Sequence, residues 1–161
     1  MSKKSKRPTR VRLTKQLRQR PSVHPQKSDE LADRADYAQQ QMRRGDFAGC
    51  IRTCKPLLNS LPKDSETHME VLVTLGLAHA MLQHHQQSYD VFREGICIDP
   101  TRSELWYNLA LSCHYMGRHA EAVRDLERAF ELSKNEKSEI ARKIAAQLEE
   151  ARRELQKTMD A

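Results

Sequence analysis

The sequence contains seven histidines and four cysteines, the residue types that most often bind transition metals or act as nucleophiles. Cys50, Cys54, Cys97 and Cys113 form no Cys-x-x-Cys pair, so neither a zinc site nor a thiol redox motif is indicated. Cys50 and Cys54 are four residues apart, which places both on one face of a helix. We therefore expect reduced cysteines within a helical core, with oxidation chemistry as the weaker alternative.

Five of the histidines cluster along the chain: His79, His84, His85, His114 and His119. His84, His85 and His119 fall in predicted turns between helices, and His79 falls on a predicted packing face. Neither their spacing nor nearby carboxylates complete a ligand set, so we predict no metal site and no cofactor. Surface and core histidines are the favoured interpretation.

Motifs that carry catalysis do not occur in the sequence. It contains no Gly-rich phosphate loop, no His-Glu-x-x-His and no nucleophile elbow. We therefore predict that the protein is not an enzyme.

The charge is divided unequally along the chain. Residues 1–27 contain ten Lys or Arg and no acidic residue, whereas the remainder contains 18 basic and 22 acidic residues. We call residues 1–27 the N-terminal arm and expect it to be disordered, because it has three prolines, no aromatic residue and little apolar surface to bury. No apolar run is long enough for a membrane span or a secretory signal, so we expect a cytoplasmic protein.

The basic arm allows three functions. It could bind phosphates of nucleic acid without sequence preference, act as a Lys/Arg-rich address signal, or serve as an organelle transit segment. The early lysines disfavour the third. The candidate nucleic-acid contacts are Lys3, Lys4, Lys6, Arg7, Arg10, Arg12, Lys15, Arg18 and Arg20.

The remainder of the chain has a composition that favours helices, and it contains an internal repeat. The whole chain has only five Gly and six Pro, which favours an all-α protein. A shift of 34 residues places Gly76 on Ala110 and Phe92 on Leu126, and a shift of 38 places Cys54 on Phe92. A period in this range is typical of stacked helical hairpins that share one core.

This pattern resembles the tetratricopeptide-repeat (TPR) family. The third copy carries the closest match, at Trp106, Leu109, Ala110, Gly117, Ala122, Leu126 and Ala129. The resemblance implies a helical-hairpin solenoid within residues 28–136, with repeats at about 31–64, 69–102 and 103–136, then a capping helix over 137–161. Small residues such as Gly76, Ala110 and Ala122 should let paired helices approach closely.

Three local features refine this prediction. We expect the hairpins to begin near Leu31, Met69 and Ser103. Pro56 falls inside the second helix of the first copy, where it should kink the helix or loosen the repeat. Ser133-x-x-Glu136 resembles a capping box at the start of the last helix.

In the family that this chain resembles, the first helix of each repeat lines a concave groove. The corresponding candidate groove residues are Val73, Thr74, Leu77, Met81, Tyr107, Asn108, Leu111, His114 and Tyr115. We expect Tyr107 and Tyr115 to anchor a bound segment, because aromatic side chains supply a large contact area. The alternative is that the arm or the capping helix covers this apolar stripe, or that the stripe is partly core.

The leading functional prediction is a protein-interaction module, an adaptor, scaffold or small chaperone, that binds a peptide or helix of a partner protein. In size and repeat number it resembles three-repeat chaperones of secreted bacterial translocator proteins, although a basic arm is not part of that pattern. The alternative is a nucleic-acid or ribosome-associated protein that uses the arm. A clamp for acidic C-terminal tails is disfavoured, because Glu104 occupies one of its positions and would repel a carboxylate.

Overall fold

The computed structural model describes residues 25–134 and 138–160, and within these ranges the chain is all helix, without a strand. The elements are α1 (Pro25–Arg43), α2 (Phe47–Leu58), α3 (Glu66–Met81), α4 (His85–Ile98), α5 (Ser103–Tyr115), α6 (His119–Ser133) and α7 (Glu139–Met159). None of the described helices combines the length and the apolar character that crossing a bilayer requires. The prediction of an all-α fold is confirmed.

The helices form three hairpins, α1–α2, α3–α4 and α5–α6, followed by α7. Each helix packs against the next one in the chain, and α1 also contacts α3, α3 contacts α5, and α5 contacts α7. The helix α7 therefore occupies the place that the first helix of a fourth hairpin would take. This is the stacking expected of a helical-repeat solenoid with a terminal capping helix.

The same turn closes the first helix of every hairpin. Gly45, Gln83 and Gly117 each have a positive φ, of 79°, 60° and 75°. In the last of these turns Arg118 donates its N–H to the Cys113 carbonyl, and Gly117 donates to His114, each at 2.9 Å. This pair of bonds is the Schellman motif. The three turn residues are separated by 38 and 34 residues, the two shifts found in the sequence.

Small residues bring the helices close together, as predicted. A Cβ atom placed on Gly76 would lie 2.6 Å from the ring of Phe92, so α3 and α4 touch at this point. Ala110 and Ala122 are both fully buried between α5 and α6. Leu126 fills the adjoining space and is 1% exposed. The core thus alternates small and large side chains across facing helices.

Two helices begin earlier than the sequence predicted. α1 begins at Pro25 and α3 at Glu66, whereas α5 begins at Ser103 as expected. Proline suits the first helical position, because its fixed φ matches the helix and its missing N–H would have no partner there. Residues 25–27 are therefore helical and not part of a disordered arm, while residues 1–24 lie outside the described part of the chain.

The predicted capping box is wrong. Ser133 lies inside α6, buried, and its hydroxyl donates to the Phe130 carbonyl. The cap of α7 is Ser138, whose hydroxyl accepts the N–H of Ala141 at 3.2 Å. Glu136 lies outside the described residues.

Pro56 lies in the last turn of α2. This helix has 12 residues, against 14 in α4 and 15 in α6, so the proline coincides with an early end to the second helix of the first hairpin.

Candidate partner-binding groove

A cavity of about 600 Å³ opens between the C-terminal halves of α3 and α5. We call it the α3–α5 groove. Its lining comes from all three hairpins: Met42, Leu77, Ala80, Met81, Gln83, His85, Phe92, Asn108, Leu111, Ser112 and Tyr115. The neighbouring first helices supply most of these residues, and the turn from α3 to α4 forms part of the rim.

The groove is apolar with a few uncharged polar groups. Met81 and Tyr115 are 58% and 63% exposed, although both carry large apolar side chains. Asn108 and Ser112 supply amide and hydroxyl groups, and no Lys, Arg, Asp or Glu is among the lining residues. Methionine side chains are flexible and polarisable, so Met42 and Met81 can adapt to different apolar surfaces.

Tyr115 is held at the rim by its neighbours. Its ring stacks on the ring of His85, with centroids 4.9 Å apart and planes inclined by 16°. On another side it meets the ring of His114 edge-on, with centroids 5.4 Å apart. These contacts orient Tyr115 while leaving much of the ring open to solvent, so the aromatic surface is presented to the groove at little further entropic cost.

The structure brings together five of the nine candidate groove residues: Leu77, Met81, Asn108, Leu111 and Tyr115. They follow one another at helical spacing on α3 and α5, which is the pattern that selected them. Their convergence requires only that equivalent faces of adjacent first helices point to the same side.

Val73 and Thr74 do not line the groove. Val73 is half-buried and packs on the core around Met69 and Phe92. Thr74 is buried, and its hydroxyl donates to the Glu70 carbonyl at 2.8 Å. Both residues lie in the middle of α3 and pack toward the core.

Tyr107 and His114 also lie elsewhere, because α7 covers them. Tyr107 packs on the cluster that contains Leu148 and Ala151, and burial raises the pKa of its hydroxyl. Nδ1 of His114 lies 3.3 Å from a carboxylate oxygen of Glu154. At these two positions the arrangement is the alternative given by the sequence analysis, in which the capping helix covers the apolar stripe.

Gln83 and His85 are lining residues that the sequence did not indicate. His85 was assigned to the turn between α3 and α4, and the helical period that marks a groove face does not extend into a turn. The positive φ of Gln83 turns the chain back at this point and places His85 at the start of α4, facing Tyr115.

Three of the four cysteines are buried, as predicted, and Cys97 is exposed, which corrects that part of the prediction. The sulfur atoms of Cys50 and Cys54 lie 3.8 Å apart. Burial raises the pKa of the Cys54 thiol strongly and that of Cys113 to about 12. These side chains are protonated at neutral pH and are therefore poor nucleophiles.

The candidate nucleic-acid contacts between Lys3 and Arg20 lie outside the described residues. No structural observation therefore bears on them.

One segment of the chain matches the model of a known protein family. Residues 103–136, which contain α5 and α6, match the model of the tetratricopeptide repeat. The sequence has no significant match among curated proteins. The third predicted repeat has the same bounds as the matched segment.

Several solved structures have a similar fold. The type III secretion translocator chaperone SycD of Yersinia enterocolitica gives a TM-score of 0.73 at 18% identity, covering 84% of this chain and 90% of that chain. PcrH of Pseudomonas aeruginosa, bound to the chaperone binding region of PopD, gives a TM-score of 0.73 at 16% identity. The match covers 83% of this chain and 98% of that chain. The Sgt2 TPR domain of Aspergillus fumigatus gives a TM-score of 0.70 at 19% identity, and the match covers 87% of this chain and 85% of that chain.

Proposed function

Because this chain is a tetratricopeptide-repeat protein, we propose that it is an interaction module that binds an apolar segment of a partner protein in the α3–α5 groove. The observation that carries the proposal is the open, uncharged cavity with Met81 and Tyr115 exposed at its rim. The proposal gives the protein no catalytic role.

Exposure of large apolar side chains supports this site. Five such side chains stand out in the described part of the chain: Tyr37, Met81, Tyr115, Phe130 and Met159. Two of them, Met81 and Tyr115, converge on the groove, where Leu77 and Leu111 extend the apolar surface inward. Apolar surface concentrated in a concave site is typical of a binding site, whereas single exposed apolar residues are common.

The chemistry of the lining defines the ligand. A cavity of about 600 Å³ suits a few side chains of a peptide or helix. Without a Lys or Arg in the lining, the groove offers no permanently charged partner to a carboxylate or phosphate. We therefore propose a segment with two or three apolar side chains and not an acidic chain terminus. The amide oxygen of Asn108 can accept an N–H from the backbone of such a segment, whereas its amide nitrogen already donates to the Glu104 carbonyl. The buried Ser112 hydroxyl already bonds to Ser88 and to the Asn108 carbonyl.

Structures of similar fold support an adaptor or small-chaperone role. SycD has been solved with a peptide of the translocator YopD, and PcrH with the chaperone binding regions of PopB and PopD. In those proteins a fold of this kind holds a segment of a partner. A cytoplasmic location accords with the free, buried thiols, which persist in reducing compartments. The nucleic-acid alternative gains no support from the comparisons.

The proposal can be tested with peptides selected from a displayed library by the full-length chain. Met81→Glu and Tyr115→Glu place a carboxylate against the bound apolar segment and should weaken the selected peptides at least tenfold, since burying an unpaired charge is costly. Phe130→Glu is the matched control, because Phe130 is also an exposed aromatic residue, lies on α6 and does not line the groove.

Circular dichroism should show that all three variants remain folded. Peptides that bind the two groove variants as tightly as the control variant would contradict the proposal.

A further inference from the structure

Three potential metal ligands meet where α5, α6 and α7 come together. His114, His119 and Glu154 each offer one ligand atom, and these atoms all lie within 4.8 Å of one another. All three side chains are partly buried. We propose that these residues form a binding site for a divalent transition-metal ion of the zinc type, which fastens the capping helix to the last hairpin.

The fold, and not the local sequence, assembles this set. His114 lies in the last turn of α5, and the Schellman turn through Gly117 returns the chain so that His119 is the first residue of α6. The two imidazole rings stand 5.7 Å apart, at 72° to each other. Glu154 comes from α7, far along the chain, so the residues around the histidines give no sign of the carboxylate that completes the set.

Two of the polar atoms at this junction have unmet bonding capacity. Nδ1 of His114 and Oε2 of Glu154 lie 3.3 Å apart. Both atoms are shielded from solvent, yet neither has a hydrogen bond within the described part of the chain, because their mutual alignment is poor. Buried polar atoms without partners are uncommon and costly. A cation between them would accept electron pairs from both.

The distances suit a small tetrahedral ion. Bonds of about 2.0–2.1 Å to nitrogen and oxygen give a ligand-to-ligand edge of about 3.4 Å, close to the separation of the His114 and Glu154 atoms. All ligand atoms lie within 4.8 Å of one another, so rotation of a side chain that brings two of them closer by at most about 1.4 Å reaches this edge. A water molecule or a ligand would complete the fourth position.

The donor atoms select the class of metal. Two imidazoles and one carboxylate are typical ligands of zinc and neighbouring transition metals, whereas calcium and magnesium prefer oxygen ligands alone. An ion bound only in the native state stabilises that state. Because the ligands come from three helices, binding would stabilise the attachment of α7 to α5 and α6.

Isothermal titration of the metal-free, full-length chain with zinc chloride tests the proposal. We expect one ion per chain and an increased melting temperature. Glu154→Gln and His119→Asn should each reduce the zinc affinity at least tenfold. The control is His84→Asn, which changes an exposed histidine that precedes α4 and should leave affinity unchanged.

Two results would overturn the proposal. One is a wild-type chain that binds no zinc, and the other is folded Glu154→Gln and His119→Asn variants that bind zinc as the control does, which would indicate an ordinary His114–Glu154 ion pair with zinc held elsewhere. If a variant fails to fold, the visible spectrum of the cobalt-loaded wild type decides. Intense tetrahedral bands support the site, and the weak spectrum of the hydrated ion contradicts it.

Discussion

At the scale of single residues, the α5 core shows how closely the repeat pattern specifies packing. Leu109 is 5% exposed and packs in the cluster of Met69 and Phe92, whereas Ala110 is fully buried in the cluster of Leu126 and Leu148. We expect Leu109→Ala to cost about 2–5 kcal/mol by leaving a cavity. Ala110→Leu should cost about 1–3 kcal/mol by overpacking α5 against α6. Urea denaturation followed by circular dichroism measures both, and an unchanged midpoint in either variant would contradict the packing described.

His79 provides a pH-dependent test. Burial lowers its pKa, and the charges of Lys55 and His84 lower it further. The unfolded chain therefore binds a proton at His79 more readily than the folded chain does, so stability should fall as the pH drops below about 6.5. His79→Gln should flatten the dependence of melting temperature on pH between 7 and 5. His119→Gln is the control, because His119 lies at the start of α6 and is not among the groups that shift the His79 pKa. Equal slopes in the wild type and His79→Gln would contradict this assignment.

Residue identity alone did not fix which side chains are accessible. Val73 and Leu77 are both half-buried and pack on the same core cluster, yet only Leu77 lines the groove, and Thr74 is buried. Cys97 was expected in the core, yet it lies on the outer surface of α4. Helical periodicity gives the direction of a side chain, whereas burial depends on how near the next hairpin lies.

At the scale of elements, the hairpin turns recur at the same spacing as the repeat found in the sequence. The turn residues Gly45, Gln83 and Gly117 adopt the same left-handed conformation, so the chain reverses at equivalent points in each copy. The ends of the elements were harder to predict. Ser133 and Ser138 are both plausible caps, and the choice depends on how far α6 extends over its neighbours.

Gln83 is the strained member of this set, and its replacement is a direct test. A positive φ is unfavourable for a residue with a side chain, whereas glycine adopts this conformation freely. We expect Gln83→Gly to raise the free energy of unfolding by about 0.5–1 kcal/mol, after allowance for the greater freedom of glycine in the unfolded chain. Gly117→Gln should lower it. A destabilised Gln83→Gly variant in urea denaturation would show that the side chain makes a contact worth more than the strain.

At the scale of the whole molecule, the capping helix determines how much of the predicted groove remains open. The sequence placed Tyr107 and Tyr115 on the same apolar stripe, but α7 covers Tyr107 and leaves Tyr115 exposed. Nothing in the repeat pattern specifies where a helix outside the repeats will dock. The same docking brings Glu154 to His114 and His119, a juxtaposition that no local motif reveals. Long-range packing, and not chemistry at single positions, therefore set the limit of the sequence-based prediction.

The central claim is that a partner segment lies in the α3–α5 groove, and site-specific photocrosslinking tests it most directly. Benzoylphenylalanine in place of Tyr115 puts a reactive ring of similar shape at the rim, and the same substitution at Phe130 puts one on α6, away from the groove. With a peptide selected by the wild-type chain, we expect crosslinks from position 115 and background levels from position 130. Crosslinks from position 130 alone, with none from position 115, would contradict the claim.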